Sequence, residues 1–210
     1  MSPLPARKNF YKENFITPET DALHSTKRKG LIDFTLTALF AALIAAGTFI
    51  AIPLPFSPVP AVLQNFFALL AGLLLGPLRG GAAVGLYLIA GALGAPVFAG
   101  AAGGLVYLMG PTGGYLLGYF LAALSAGLIA GKPRLDKTPS RKRLILAVVT
   151  GLLVIYIPGV FRLKLALDAS WARALGAGFF PYLIGDTLKG LAAAIIAPRL
   201  RRAVADKTHG

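Results

Sequence analysis

An aspartate and a lysine inside an apolar stretch are the residues of this chain whose types and spacing are best suited to chemistry. They are Asp186 and Lys189 in the segment PYLIGDTLKGLAAA, three positions apart and therefore on one face of a helix. An ionisable side chain inside a membrane costs about 2.5 to 3.5 kcal/mol on insertion scales, so it requires a partner or a function. Two interpretations follow: the pair either neutralises itself and helps helices to pack, or it belongs to a binding site.

Other reactive groups are scarce in the sequence. There is no Cys, and the two histidines, His24 and His209, lie in polar segments near the ends of the chain. A disulfide framework, a metal site and a cofactor are therefore not expected. The glycine-rich stretches GAAGG and GPTGG lack the GxxxxGK[ST] spacing of a phosphate-binding loop. The sequence thus predicts neither an ATPase nor any other enzyme.

The composition places the chain in lipid. Of 210 residues, 56% are hydrophobic and 14% charged, and the mean hydropathy is +0.72, which a soluble domain with a polar surface does not reach. The formal net charge of +13 would suit nucleic acid in a soluble protein. Here the cations lie between apolar blocks, which argues for membrane orientation and against nucleic-acid binding.

Six apolar blocks predict an all-α membrane protein with six transmembrane helices. They cover residues 32–52, 61–75, 80–93, 115–131, 144–160 and 179–197. The second and third blocks are shorter than the roughly 17 residues of a lone span, so we expect neighbouring helices to shield them. We expect the six helices to form one transmembrane domain over residues 31–200, which would hold any substrate-binding site, between a basic tail of residues 1–30 and a C-terminal tail of residues 201–210.

Three connecting segments have distinctive compositions. The prolines of PLPFSPVP, residues 53–60, predict a rigid turn because a helix cannot continue through them. Residues 94–114 are apolar yet rich in Gly, so we expect a loop that folds over or into the bundle as a candidate lid. Residues 161–178 mix basic side chains with Leu and Trp171, which indicates an amphipathic interfacial stretch.

The basic residues predict the orientation. Of 21 Lys and Arg residues, 17 lie in the two tails and in the loops after the second and fourth blocks, and three lie in the loops of the other side. The positive-inside rule then places both termini in the cytoplasm of a cell-membrane protein. The sixth block enters from outside, so Asp186 lies about one to two turns below the outer boundary, at the depth of an externally open pocket.

Several other residues have two open interpretations each. Gln64 and Asn65 follow the proline turn and either bind a ligand or hydrogen-bond the exposed backbone there. The aromatic rings of Tyr87, Tyr107 and Tyr115 either contact a solute or anchor the chain at the membrane interface. A face of small side chains on the first block either packs within the chain or receives a partner subunit; it is formed by Ala38, Ala42 and Ala46.

Five motifs in order resemble those of the BioY family of biotin transporters. They are SPVPAVLQN, LLGPLRGG, GAPVFAGAAGG, GPTGGYLLGY and GDTLKGLAAA, and they span about residues 35–200. The resemblance implies a substrate-capture subunit, the S component, of an energy-coupling factor (ECF) transporter in a prokaryotic plasma membrane. Such a subunit works with a transmembrane coupling subunit and two cytoplasmic ATPases.

The resemblance also implies a binding site. In that family biotin lies near the outer face, under the loops after the first and third spans, and contacts the Asp and Lys that match Asp186 and Lys189. Gln64, Asn65 and Tyr87 are further candidates, and the backbone around Gly103 and Gly104 is another source of polar contacts. The coupling subunit of such transporters docks on the small-residue face of the first helix, here Ala38, Ala42 and Ala46.

Two functions of other classes compete with this interpretation. One is a stand-alone secondary transporter of biotin or another small vitamin, in which the carboxylate of Asp186 cycles protons. No inverted repeat is evident in the sequence, which disfavours it. The other is an intramembrane enzyme or scaffold, which would need a second polar cluster facing Asp186.

Overall fold

Helices form nearly all the regular structure of residues 18–136 and 138–209, the part of the chain that a computed structural model describes. Side chains are described for residues 26–136 and 138–207, so the predicted tail lies partly outside it, as do both histidine side chains. The helices are α1 (Pro18–Ala46), α2 (Gln64–Leu75), α3 (Pro77–Ala92), α4 (Leu105–Met109), α5 (Gly113–Ala130), α6 (Arg141–Ala166), α7 (Trp171–Gly178) and α8 (Phe180–His209).

Six of these described helices run alternately between two ends of a bundle, and α4 and α7 are short connectors. At one end an antiparallel hairpin of strands β1 (Ala51–Leu54) and β2 (Ser57–Val62) joins α1 to α2. We call this the hairpin end. At the other end Gly76 alone separates α2 from α3, and residues 131–140 join α5 to α6. Because this end carries many Lys and Arg residues, we call it the basic end.

Four helices of the described chain are long and apolar enough to cross a membrane: Thr26–Ala46 within α1, Gly113–Ala130, Arg141–Ala166, and Phe180–Lys207 within α8. Helix α2 has 12 residues and α3 has 16, which is short for a lone span. Ten of the 12 residues of α2 are buried, so its neighbours shield it as predicted. The structure therefore supports an all-α membrane fold with four spans evident by length.

The proline-rich segment differs from the predicted rigid turn. It forms the two-stranded hairpin, with Ala51 opposite Val62, Leu54 opposite Ser57 and an irregularity between Ile52 and Leu54. No helix continues through the prolines, as predicted, but α1 already ends at Ala46, before the predicted block ends at Ile52 and before Pro53. A two-stranded sheet has only edge strands. Proline is tolerated there because the missing N–H faces away from the partner strand.

Two helices are longer than the apolar blocks that predict them. Helix α1 begins at Pro18, within the predicted polar tail, and α8 continues through Pro198 to His209. A proline removes one helical hydrogen bond. Beyond it, Arg201 and Ala205 are buried against the bundle, and this packing keeps the helix intact. The prediction that Pro198 ends the last helix is therefore wrong. The tail boundaries at residues 30 and 200 concern where the chain leaves the membrane, and they stay predictions.

Small residues allow the helices of the core to pack closely. Helix α5 is the most enclosed of the four long spans, with 61% of its apolar window buried. A side chain at Gly118 would collide with the backbone of Ile155 on α6, and one at Gly72 with Ala123 on α5. Close backbone approach of this kind is typical of helix packing in membranes.

Residues 94–104 fold into the bundle, as the sequence predicts. Phe98 is fully buried, and its ring contacts Tyr87 edge-to-face and stacks on Tyr107. Backbone hydrogen bonds join Phe98 to Ala102 in both directions and close a small turn. The predicted loop ends earlier than residue 114, because α4 and the start of α5 form within it.

Candidate functional site

Asp186, which is buried, and Lys189, which is half-buried, form an ion pair near the hairpin end. Both lie on α8, and the Lys189 ammonium is 2.8 Å from Asp186 Oδ1. Asp186 is 6% exposed as a residue, while the Lys189 side chain is 23% exposed. Their three-residue separation places both on one helical face, as expected, and each brings the other a charge of opposite sign.

Three further groups satisfy the pair. The Tyr156 hydroxyl on α6 donates to Asp186 Oδ2 at 2.5 Å. The Lys189 ammonium donates to the Val62 carbonyl of β2 at 2.6 Å and to Asn65 Oδ1 at 3.2 Å. The two charges thus connect α8, α6, α2 and the hairpin. Such a network is strong because hydrogen bonds to a charged group are stronger than those between neutral groups, especially in a low-dielectric interior.

A second polar cluster surrounds Gln64 at the start of α2. Its amide nitrogen faces the Thr48 hydroxyl, the Tyr87 hydroxyl at 2.8 Å and the Val97 carbonyl at 3.1 Å. The Thr48 hydroxyl also donates to Val97 at 2.6 Å. Gln64, Thr48 and Tyr87 are each 2% exposed. Gln64 and Tyr87 therefore come together, as two candidates for one site should, and they also support the loop backbone.

A small cavity of about 20 Å³ lies beneath the hairpin. Its walls include Val62, Gln64, Tyr107, Tyr115, Leu116 and Tyr119. Two of these residues connect the cavity to the ion pair. Val62 accepts a hydrogen bond from Lys189, and the Tyr115 ring contacts edge-to-face the ring of Tyr156, which binds Asp186. A space of this size suits about one water and is far below the about 300–1,000 Å³ of a typical ligand pocket.

Gly103 and Gly104 are the last two residues of the loop of residues 94–104 and follow Phe98 in the chain. The amide of Gly104 donates to the Gly91 carbonyl at 2.6 Å, so it is not free for a ligand. A side chain at Gly103 would collide with the backbone of Gly94 and Ala95. Close backbone packing accounts for Gly103, and a positive φ of 93° accounts for Gly104. Their assignment as ligand contacts stays a prediction.

The other side of Asp186 faces a groove between α6 and α8. This groove has a volume of about 240 Å³, and its walls are almost entirely apolar, with Leu152, Leu183 and Ala194 among them. Asp186 and Tyr156 also line it. The carboxylate thus lies between an apolar groove and a polar network, which explains why it needs two strong donors.

The small-residue face of α1 is largely uncovered. Ala42 and Ala46 are exposed and Ala38 is half-buried, whereas Ala41 on the opposite side is 7% exposed and packs in the core. Helix α1 has only 17% of its apolar window buried. Packing within the described chain therefore does not account for this face.

Sequence reasoning missed Tyr156 and Tyr182. The Tyr182 hydroxyl faces Ser57 Oγ at 2.9 Å and the Val59 carbonyl, and so connects α8 to β2. Tyrosine with its hydroxyl inside an apolar span needs a partner, which is the signal that marks both residues. Among the described residues no group of three His, Cys, Asp or Glu side chains is close enough to hold a metal ion.

Similarity to known proteins agrees with the five motifs. The family model described as "BioY family" matches residues 19–206 of the chain. The chain belongs to the BioY family. A relative from Thermotoga maritima, named "Biotin transporter BioY", is 41% identical over 164 residues, which are 78% of this chain and 92% of the relative.

Two other proteins extend the match. A "Probable biotin transporter BioY" from Pyrococcus horikoshii is 41% identical over 169 residues, covering 80% of this chain and 96% of the relative. A crystal structure of an S-component for biotin from an ECF-type ABC transporter superposes with a TM-score of 0.74 at 27% identity. The match covers 89% of this chain and 95% of that structure.

Family membership decides the broad class of this BioY-family chain. It is a multi-pass protein of the cell membrane and a transporter component, not an enzyme. The interpretation of the chain as an intramembrane enzyme or scaffold is thereby removed.

Proposed function

We propose that this chain is the biotin-binding S component of an ECF transporter and delivers biotin across the cell membrane with an ATP-driven module. Its family, the names of its relatives and the fold it shares with a biotin S-component support this function. The structural observation that carries the proposal is the buried Asp186–Lys189 pair, held by Tyr156 and Asn65 beside a cavity under the hairpin.

The pair suits the polar ends of biotin. A carboxylate accepts hydrogen bonds from ureido N–H groups, and an ammonium donates to the ureido oxygen or attracts the valerate carboxylate. Gln64, Asn65 and Tyr87 add amide and hydroxyl groups on the same side of the bundle. Contacts from the backbone of Gly103 and Gly104 would require this loop to rearrange, because the Gly104 amide donates to the Gly91 carbonyl.

Binding requires the hairpin and the loop of residues 94–104 to move. The cavity of about 20 Å³ cannot hold a vitamin. The hairpin is attached to α8 by the Tyr182 hydroxyl and by the Lys189 ammonium, which both bind β2 carbonyls. A ligand that competes for Lys189 would release one of these contacts, so entry of biotin and opening of the hairpin are coupled in this proposal.

We further propose that all six helices that run between the two ends of the bundle cross the membrane, with both termini cytoplasmic. The basic end then faces the cytoplasm, as the positive-inside rule requires, and the hairpin end faces outward. Shielding of α2 by its neighbours supports its inclusion as a span. The transmembrane domain of residues 31–200 and the flanking tails of residues 1–30 and 201–210 are parts of this topology.

The partners that we propose are a transmembrane coupling subunit and two cytoplasmic ATPases. The uncovered face of Ala38, Ala42 and Ala46 supports a docking site for a helix of the coupling subunit, because small side chains permit close approach. The chain has no nucleotide-binding motif of its own, so the energy must come from elsewhere.

Titration of the purified protein with biotin tests the site. We expect wild-type protein to bind biotin tightly and Asp186→Asn and Lys189→Ala to bind it about 100-fold more weakly or worse, since each removes a proposed charge-assisted hydrogen bond to biotin. Thr187→Ala on the exposed side of α8 is the matched control and should bind like wild type. Unchanged affinity in both charge variants would remove these two residues from the site.

Uptake assays test the mechanism. Proteoliposomes that contain the chain with its coupling subunit and ATPases should accumulate biotin only when ATP is supplied inside. Accumulation by the chain alone, driven by a proton gradient and abolished by Asp186→Asn, would favour the secondary transporter instead.

A further inference from the structure

The basic end contains an open cleft of about 1,100 Å³, which the proposed function does not use. It lies between the α2–α3 junction, the α5–α6 connection and the last turns of α8. We call it the basic cleft. Its described walls carry six cations and one carboxylate, Asp136; the cations are Lys29, Arg79, Lys132, Arg134, Arg143 and Arg201.

Arg201 lines this cleft although it is 3% exposed. Its guanidinium donates to the carbonyls of Leu73, Ala130, Gly131 and Lys132, the last two at 2.8 and 3.0 Å. It thereby caps the C-terminal ends of α2 and α5. Its Nε atom is buried without a hydrogen-bond partner among the described residues, and all its acceptors are neutral.

Most of the positive charge in the cleft is not neutralised within the described chain. Two of its cations form ion pairs: Arg79 with Asp33 at 2.6 Å, and Arg134 with Asp136 at 3.1 Å. The remaining four, Lys29, Lys132, Arg143 and Arg201, form none among the described residues. An open cleft with four cations that form no ion pair within the described chain favours an anion as ligand.

The surroundings favour a phosphate group at the membrane surface. Guanidinium groups match the geometry of phosphate oxygens, and the N-terminus of α6, which reaches the cleft at Ser140 and Arg143, adds positive helix-dipole charge. Exposed apolar side chains line the same cleft, with Leu78 at 73% and Leu135 at 56% exposure. A ligand with a phosphate and an attached hydrocarbon part would contact both kinds of wall.

We propose that the basic cleft binds a phosphate group, presented by the headgroup of an acidic phospholipid. Basic pockets between helices on the cytoplasmic side of a membrane commonly bind such headgroups. A free phosphate compound has the same chemistry, and only direct measurement separates the two sources. The inference is independent of the substrate at the hairpin end.

Lipid retention by the full chain tests the proposal. The protein is placed in nanodiscs of phosphatidylcholine with a minor fraction of phosphatidylglycerol, and lipids retained after gentle release are counted by native mass spectrometry. We expect wild type to retain phosphatidylglycerol selectively. The double variant Lys29→Gln/Lys132→Gln should retain it about tenfold less, because each removed cation weakens attraction to an anionic headgroup. Both side chains are exposed, so folding is preserved.

Arg199→Gln/Lys207→Gln is the matched control, since it removes two exposed cations of α8 outside the cleft. It should retain the lipid as wild type does. A second arm adds inorganic phosphate to protein in pure phosphatidylcholine discs and follows the melting temperature. A rise that disappears in Lys29→Gln/Lys132→Gln, without phosphatidylglycerol selectivity, supports the phosphate site with a free compound as its source.

Two outcomes overturn the proposal. One is equal loss of phosphatidylglycerol in the cleft and control variants, which would indicate general surface charge. The other is the absence of both lipid selectivity and a phosphate response in the wild-type protein. Biotin titration of the same variants separates this result from the proposed function, because the cleft variants should bind biotin as wild type does.

Discussion

The two ends of the bundle differ in how their charged side chains are neutralised. At the hairpin end a buried Asp and a half-buried Lys are paired at 2.8 Å and hydrogen-bonded to a tyrosine, an asparagine and a backbone carbonyl. At the basic end four cations of an open cleft of about 1,100 Å³ form no ion pair within the described chain.

This difference shows what each end is able to bind. A neutral, fully satisfied network beside a small cavity favours a small ligand that replaces its hydrogen bonds one for one, because an unpaired buried charge is costly. An open cleft with surplus positive charge favours an anion that stays close to water. The following changes test the contrast, from the largest expected effect to the smallest.

Lys189→Ala should have the largest effect on stability. It leaves the Asp186 carboxylate buried without its cation, and breaking a buried pair in this way costs about 3–5 kcal/mol of unfolding free energy. Unfolding in a denaturing detergent measures the loss. The double variant Lys189→Ala/Asp186→Asn should recover part of it, since no charge then remains. A double variant that loses as much as the sum of the singles would show that the pair does not act as a unit.

Tyr156→Phe should have an intermediate effect. It removes the hydroxyl that donates to Asp186 Oδ2 at 2.5 Å and keeps the aromatic ring, so the loss is about 1.5–3 kcal/mol for a hydrogen bond to a charged group. We expect biotin affinity and unfolding free energy to fall together. Tyr119→Phe, which removes a tyrosine hydroxyl that does not contact Asp186, is the control for the unfolding free energy. An equal loss in both variants would argue for general packing.

Gly91→Ala should destabilise the loop of residues 94–104 by about 1–3 kcal/mol, because the added methyl group would overlap the buried Phe98 ring. Gly85→Ala on the same helix is the matched control. Its methyl group would have 3.6 Å to the nearest side-chain atom, so it should be neutral or slightly stabilising. Hydrogen exchange of residues 94–104 measures the difference, and similar exchange in both variants would contradict the tight packing of Phe98.

Arg134→Ala should have the smallest effect. It breaks the ion pair with Asp136, chemically similar to the pair at the hairpin end, but both side chains are more than 60% exposed. Exposed pairs contribute about 0–1 kcal/mol because water screens the charges. The same detergent unfolding assay gives the comparison with Lys189→Ala. A loss above about 2 kcal/mol would mean that burial does not explain the contrast between the ends.

Much of the fold could be predicted because membrane segments are determined by local hydropathy. The four long spans overlap four of the predicted apolar blocks, and the i, i+3 spacing alone places Asp186 and Lys189 on one face of α8. Helix ends were predicted less well. In the sequence, Pro198 predicts the end of the helix. In the structure α8 continues past Pro198, because Arg201 and Ala205 are buried against the bundle.

The candidate site could be predicted only in part. Asp186 stands out because an acid in an apolar span is rare, whereas its partner Tyr156 lies 30 positions away in an ordinary-looking apolar segment. The clustering of Gln64 with Thr48 and Tyr87 likewise depends on how α1, α2 and α3 meet. The pattern of residues within one segment does not predict contacts between side chains of different helices.

The sequence by itself determined that this chain lives in a membrane, which family it belongs to, and that one Asp and one Lys share a helical face. These properties follow from composition, motif order and helical spacing, which are local. The tertiary structure alone decided that Asn65 and the Val62 carbonyl satisfy Lys189 across more than 120 residues, and that Arg201 gathers the carbonyls of two helix ends. Such contacts depend on how distant segments pack. A buried polar group needs a hydrogen-bond partner, and the packing of the bundle determines which group lies close enough to be that partner.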